Sequence, residues 1–103
     1  MTKIEHYLGI IEPVREDFMT NYTEKDEKVM SIHFQYLKDL LAKGKLILAG
    51  PALNEKKPFG IMIFKCESLE EAKELLVNDP SVKAGVQNIK TIEPFRLSLY
   101  KPE

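Results

Sequence analysis

One cysteine, Cys66, stands among 103 residues, and tryptophan is missing altogether. A single thiol excludes an internal disulfide and any metal cage built of cysteines alone. Only two histidines are present, His6 and His33, and together with Cys66 they lack metal-ligand spacing, so no structural metal site is expected. No apolar run approaches the ~18 residues of a membrane span. The opening stretch MTKIEHYLGII is too short in its apolar part and carries Glu5 early, which does not fit a signal peptide. Neither sign of charge prevails: 15 Lys and Arg face 16 Asp and Glu, interleaved, for a net charge of -1. That balance offers no basic patch for nucleic acid and no acidic tail for a basic partner. There is no glycine-rich phosphate loop, low-complexity segment or internal repeat. These absences leave a single domain over residues 1–103, expected in the reducing cytoplasm, with 44% hydrophobic residues to bury one core.

What is present is organised around residues 29–41, VMSIHFQYLKDLL. Val29, Ile32, Tyr36, Leu37, Leu40 and Leu41 recur at helical spacing, which predicts a helix with one face on a core. His33 lies on the same stripe, a titratable ring among apolar neighbours. Thr23 followed by Asp26 forms a capping-box start, and Gly44 is the left-handed stop. Before this helix, residues 5–12 read as a strand covered on both faces, hence central, with Pro13 ending it and His6 exposed at its start. A polar connection follows, carrying Arg15.

After the helix, residues 45–53 and 59–66 form two strands joined by the short turn 54–58, a β-hairpin. Gly50-Pro51 is expected to break regular pairing. Ser68 and Glu71 have capping-box spacing at the start of a second helix, with Leu69, Ala72, Leu75 and Leu76 inward. Asn78-Asp79-Pro80 ends it, and a short helical turn follows. A last strand spans residues 87–100, with Phe95, Leu97 and Leu99 alternating on one face and Pro94 marking a kink or an edge. Residues 101–103 are a tail.

The order β-α-β-β-α-β predicts an α+β fold of the ferredoxin-like plan: an antiparallel four-stranded sheet with both helices on one face. Two strands look buried on both sides, yet the helices cover only one face. A second copy, sheet against sheet, is the economical cover, so a homodimer is expected.

Several residues invite chemistry. A carboxylate can orient an imidazole and favour its charged form, so Asp79 is a candidate partner for His33. Pro80 restricts the Asp79 backbone to extended geometry. Forty-six positions separate the two, and spacing alone leaves a second reading open: a core-edge histidine bonded to a backbone carbonyl, and an aspartate capping the turn after it. Tyr36 is either a core aromatic or a donor in a pocket. Gly50 lets a ligand or another backbone come close. Arg15 is either a solvated charge or an anion clamp. Cys66, beside Lys65 at a strand end, reads as structural.

In register these residues resemble the YciI-like (YCII-related domain) family. The likeness runs through His33-Phe34-Gln35-Tyr36-Leu37, Lys43-Gly44-Lys45-Leu46, Ala49-Gly50-Pro51 and Gly60. It continues through Ser68-Leu69-Glu70-Glu71-Ala72, Asp79-Pro80, Lys83-Ala84-Gly85 and Ile92-Glu93-Pro94-Phe95. The resemblance implies a dimeric α+β barrel and a cleft with His33 and Asp79 as a catalytic pair. Where the family carries an aromatic after Asp-Pro, this chain has Ser81-Val82, which implies a wider or more polar wall near Asp79. Some members resemble muconolactone isomerases and dehalogenating lactone enzymes. The reading is therefore a cofactor-independent, metal-free enzyme performing isomerisation or elimination on a small organic acid. His33 and Asp79 act; Tyr36, Gly50, Pro51 and Arg15 bind substrate. The alternatives are a non-catalytic module that binds a small metabolite in the same cleft, and a purely structural dimer.

Overall fold

The chain runs β1 (His6–Pro13), α1 (Glu24–Ala42), β2 (Leu46–Ala52), β3 (Phe59–Lys65), α2 (Leu69–Val77), α3 (Pro80–Lys83) and β4 (Gln87–Phe95) in a computed structural model that describes residues 5–55 and 57–101. The expected tail beyond residue 101, the start of the N-terminal stretch and Lys56 of the hairpin turn lie outside the described residues. All strand pairs are antiparallel, in the order β2-β3-β1-β4. This is the expected α+β, ferredoxin-like plan, with β1 inside the sheet.

Local chemistry sets the helix ends. At α1 the Thr23 hydroxyl accepts from the Asp26 N–H at 3.1 Å, and Asp26 Oδ2 accepts from the Thr23 N–H at 3.0 Å. These two bonds satisfy donors that the first turn leaves open. Past the last turn, Gly44 takes φ 76, a left-handed conformation that a Cβ would resist. At α2 only half of the expected box forms. Ser68 Oγ accepts from the Glu71 N–H, but the Glu71 carboxylate binds Lys45 Nζ at 2.6 Å and the Glu67 N–H at 3.3 Å instead. The ion pair with Lys45 outcompetes the return bond to Ser68 and ties α2 to the start of β2.

Both long helices pack on one face. Leu37 and Leu40 from α1 and Ala72 and Leu76 from α2 share a core with Tyr7, Ile11, Leu46, Met62 and Phe64. Gly9 sits beneath it: a Cβ there would lie 3.0 Å from the Phe64 ring and 3.2 Å from Leu76. The α1 stripe is rotated from its expected position. Leu37 and Leu40 are buried, but Ile32 and Leu41 are more than half exposed. Leu41 borders a cavity between α1 and the β2 side of the sheet, whereas Ile32 lines a separate groove with Tyr36 and Pro80.

Two strand expectations are corrected. Gly50 and Pro51 pair regularly with Ile61 and Gly60, and the register slips between Leu46 and Leu48 instead. β2 is an edge strand, so the missing Pro51 N–H interrupts no second ladder. β4 stops at Phe95, and Leu99 is 95% exposed. Its ladder runs against β1, whose first described pairing is His6 with Phe95. Residues 96–100 thus find no partner strand among the described residues. Pro94 lies in β4, at the sheet edge as expected.

By alternation, Leu8, Ile10, Leu48, Ile61 and Ile63 point to the face opposite the core. No helix of the described residues packs there, since α1 and α2 both lie on the other side.

Candidate active site

α1 carries His33, and the junction between α2 and α3 carries Asp79. The Asp79 backbone is extended, at φ −60 and ψ 128, as Pro80 after it requires. This makes Asp79 the N-cap of α3: its Oδ1 accepts from the Ser81 N–H at 2.8 Å and from the Ser81 hydroxyl at 2.7 Å. From across the helix packing, His33 Nδ1 lies 2.8 Å from both Oδ1 and Oδ2. The two roles left open for Asp79 therefore coexist in one carboxylate. It is fully buried, and three donors compensate its lost hydration.

A carboxylate only accepts, so the hydrogen of the neutral imidazole sits on Nδ1. That leaves His33 Nε2 as the nitrogen with an open lone pair. His33 lines a cavity of about 710 Å³ between α1 and the β2–β3 side of the sheet. The walls are mostly apolar, including Leu37, Met62 and, on β2, Gly50 and Pro51. A Cβ built on Gly50 meets nothing within 4 Å, and by its pairing with Ile61 that position is on the sheet face opposite the core.

Among the described residues, only two other polar side chains line the cavity, Lys38 and Gln87. The Lys38 ammonium lies 5.6 Å from the centre of the exposed Phe34 ring. Gln87, the first residue of β4, is 7% exposed, and its Oε1 lies 3.0 Å from Ser81 Oγ.

Two expected binding residues lie elsewhere. The Tyr36 hydroxyl donates to the Leu75 carbonyl at 2.6 Å, and its ring lines a separate groove beside Pro80. Burial, with the Asp79 charge behind it, raises the Tyr36 phenol above its ordinary range. Arg15 binds both Asp26 oxygens at 3.1 and 3.0 Å, Asp17 at 3.2 Å and the Asn21 carbonyl at 2.8 Å. It pins the β1–α1 connection to the start of α1 and does not line the cavity.

Sequence reasoning missed Ser81 and Gln87 as members of the site. Ser81 had a signal, since the family resemblance implies an aromatic after Asp79-Pro80. Gln87 had none, because only the sheet brings it to Ser81.

The Arg15–Asp26 pair makes a testable contribution. The guanidinium, helped by the Thr23 N–H, holds the Asp26 carboxyl down at about 2. An unfolded aspartate titrates near about 3.9, so the ionised pair stabilises the fold above that pH and loses its contribution as pH falls towards about 2. Arg15→Met is expected to lower Tm near neutral pH, with the two Tm curves converging on acidification. Parallel curves down to the acid limit would sink this assignment.

Comparison with known proteins places these residues in context. Residues 7–96 match the family profile of the YCII-related domain. An uncharacterised protein of Haemophilus influenzae (strain Rd) is 33% identical over 84 residues, covering 74% of this chain and 86% of its own length. Among solved structures, the chain is similar to 5-chloro-2-hydroxyhydroquinone dehydrochlorinase (TftG) from Burkholderia phenoliruptrix AC1100, in complex with 2,5-dihydroxybenzoquinone. The TM-score is 0.63 at 23% identity, over 90% of this chain and 93% of that one. At that identity the likeness shows a shared fold.

Proposed function

The chain belongs to the YCII-related domain family, and on that premise we propose that it is a small cofactor-independent enzyme with His33 as general acid–base and Asp79 orienting it. One observation carries this reading: a buried carboxylate 2.8 Å from a histidine nitrogen, with the ring on the wall of an apolar cavity. Asp79 fixes which nitrogen bears the hydrogen and stabilises the imidazolium that forms when Nε2 takes a proton. Apolar walls strengthen that interaction by keeping water out.

The reaction class is isomerisation or elimination on a small organic acid. His33 Nε2 removes an acidic hydrogen from the substrate. In an isomerisation the proton returns to another carbon. In an elimination the electron pair of the broken bond forms a double bond, and a neighbouring leaving group departs with its own pair. The chlorine-removing activity named for the structural relative is of the second kind. Gly50 and Pro51 shape the space for a ring. Among the lining side chains, Lys38 is the one fixed cation available to a carboxylate, so the body of the substrate is apolar and its acidity resides in an O–H or activated C–H. Clusters of three His, Cys, Asp or Glu able to hold a metal ion are lacking among the described residues, and the proposal needs none.

The proposal includes a homodimer through the sheet face that carries Leu8, Ile10 and Ile61, and residence in the cytoplasm. Among the described residues, no helix is long and apolar enough to cross a membrane.

The test is a turnover screen of small lactones, unsaturated acids and chlorinated hydroquinones. His33→Ala is expected to lower kcat/KM by about 10²–10⁴-fold for any compound converted. The alternative is a binding module that holds a small metabolite in the same cavity. It draws on the scarcity of titratable groups there, His33 and Lys38 alone among the described residues. Ligand binding that survives His33→Ala, with no compound turned over by the wild type, selects the module.

A further inference from the structure

His33 stands inside the cavity and Lys38 at its mouth. The His33 side chain is only 12% exposed, whereas Lys38 is exposed. Apolar residues that line the same cavity are more than half exposed beside it: Met19, Phe34, Leu41 and Leu53. Among the described residues Lys38 forms no ion pair. Its ammonium lies 5.6 Å from the centre of the Phe34 ring, one turn back along α1, the direction in which helical side chains tilt. Phe34 follows His33 in sequence, so the charge is held over the turn that carries His33.

Fixed charge on the cavity wall has one sign. No Asp or Glu of the described residues lines it. The nearby carboxylate, Asp79, is fully buried and already taken up by His33 and Ser81. A cation entering the cavity meets a like charge, and an anion meets an unpaired ammonium. Apolar walls enlarge that difference, because Coulombic interactions grow as the local dielectric falls. The walls also favour a ligand with apolar surface to bury. At about 710 Å³ the cavity is of the size that encloses a molecule of drug-like bulk, well beyond a two- or three-carbon acid. Five residues of α1 separate His33 from Lys38, about 7.5 Å of axial rise, a span that one such molecule covers.

We infer that Lys38 sets the specificity of the cavity: it holds the carboxylate of an amphipathic monoanion at the mouth, while the apolar body of that acid fills the interior as far as His33. This deepens the acid–base reading, on which it rests for treating the occupant as a substrate, by giving the substrate's class and its direction of entry. Phe34 is a positioning residue that keeps the ammonium at the mouth.

Three compounds share one body and differ in the head: 4-phenylbutyrate, 4-phenylbutanol and 4-phenylbutylamine. In calorimetric titrations at low salt, wild type is expected to bind the acid about 5-fold more tightly than the alcohol, the scale of one partly exposed ion pair, and the amine most weakly. Butyrate, which lacks the ring, should bind at least about 10-fold more weakly than 4-phenylbutyrate. Lys38→Met should bring the acid down to the level of the alcohol and leave the alcohol unchanged. Lys38→Arg should keep the preference, and Lys38→Glu should reverse the order of acid and amine. The exposed position of Lys38 leaves the fold free to accept all three changes. Equal binding of acid and alcohol by wild type overturns the inference, as does a preference that survives in Lys38→Met. So does butyrate binding as tightly as 4-phenylbutyrate, or no binding of 4-phenylbutyrate at millimolar concentration. None of these readouts needs turnover. Failure of the acid–base reading shows as turnover unaffected by His33→Ala, and failure of this one as an order of heads indifferent to residue 38.

Discussion

Asp79→Asn is expected to lower turnover by about 10²–10⁴-fold while the protein remains folded. The side chains are nearly equal in shape, so the effect comes from which atoms donate. Two donors from Ser81, its N–H and its hydroxyl, already claim Oδ1. An asparagine must keep its oxygen on them, which turns its NH₂ group towards His33. That nitrogen donates, so His33 Nδ1 must accept, and the imidazole hydrogen moves to Nε2. The ring stays in place, but the lone pair that faced the cavity is gone. The cap on α3 survives, which is why folding is spared. Two measurements check this together. Nitrogen-15 spectra of the labelled imidazole should show the hydrogen changing nitrogens, and turnover should fall with it. An unchanged tautomer, or a changed tautomer at full activity, would remove Asp79 from the orienting role.

The parts of this fold that could be read from the sequence are those set by near neighbours. Thr23, Asp26 and Gly44 act within a turn of each other, and α1 begins and ends where their chemistry dictates. The rotation of the α1 stripe was not legible, because which side of α1 is covered depends on its packing against β2 and α3, which are separate segments of the chain. β4 was expected to run to residue 100, on a valid alternation of Phe95, Leu97 and Leu99. A strand also needs a neighbour, and among the described residues β1 pairs with β4 no further than Phe95. Gly50-Pro51 misled for a similar reason: proline breaks a ladder only where a ladder exists on its N–H side.

The candidate site divides the same way. His33 was marked by its stripe, but its meeting with Asp79, 46 positions away, came from family resemblance rather than from spacing. Arg15 and Tyr36 were sensible candidates by type. Each instead satisfies a nearby structural need, Arg15 at Asp26 and Tyr36 at the Leu75 carbonyl. The family resemblance pointed to a wider or more polar wall near Asp79; Ser81 is buried between Asp79 and Gln87, and of these three only Gln87 lines the cavity.

The second large effect is expected at the opposite face of the sheet, where Ile10→Asp should convert the proposed dimer into a monomer of 11.9 kDa. β1 is flanked on both sides, so Ile10 lies mid-face, opposite Ile61 on one side and Thr91 on the other. In the single chain it is half-buried, and a carboxylate there can still reach water, so the subunit fold should tolerate it. In a two-fold dimer the same change enters twice, and both carboxylates meet an apolar interface. Aspartate is too short to carry its charge out to the rim as a lysine would. Burying an unpaired charge is among the most costly single changes, so dissociation should be complete at micromolar concentration. Sedimentation equilibrium reads the mass directly, and a dispersed amide spectrum shows that the monomer is folded. A wild-type chain sedimenting at 11.9 kDa, or an Ile10→Asp variant still at twice that mass, would place the dimer interface away from this face or deny it altogether.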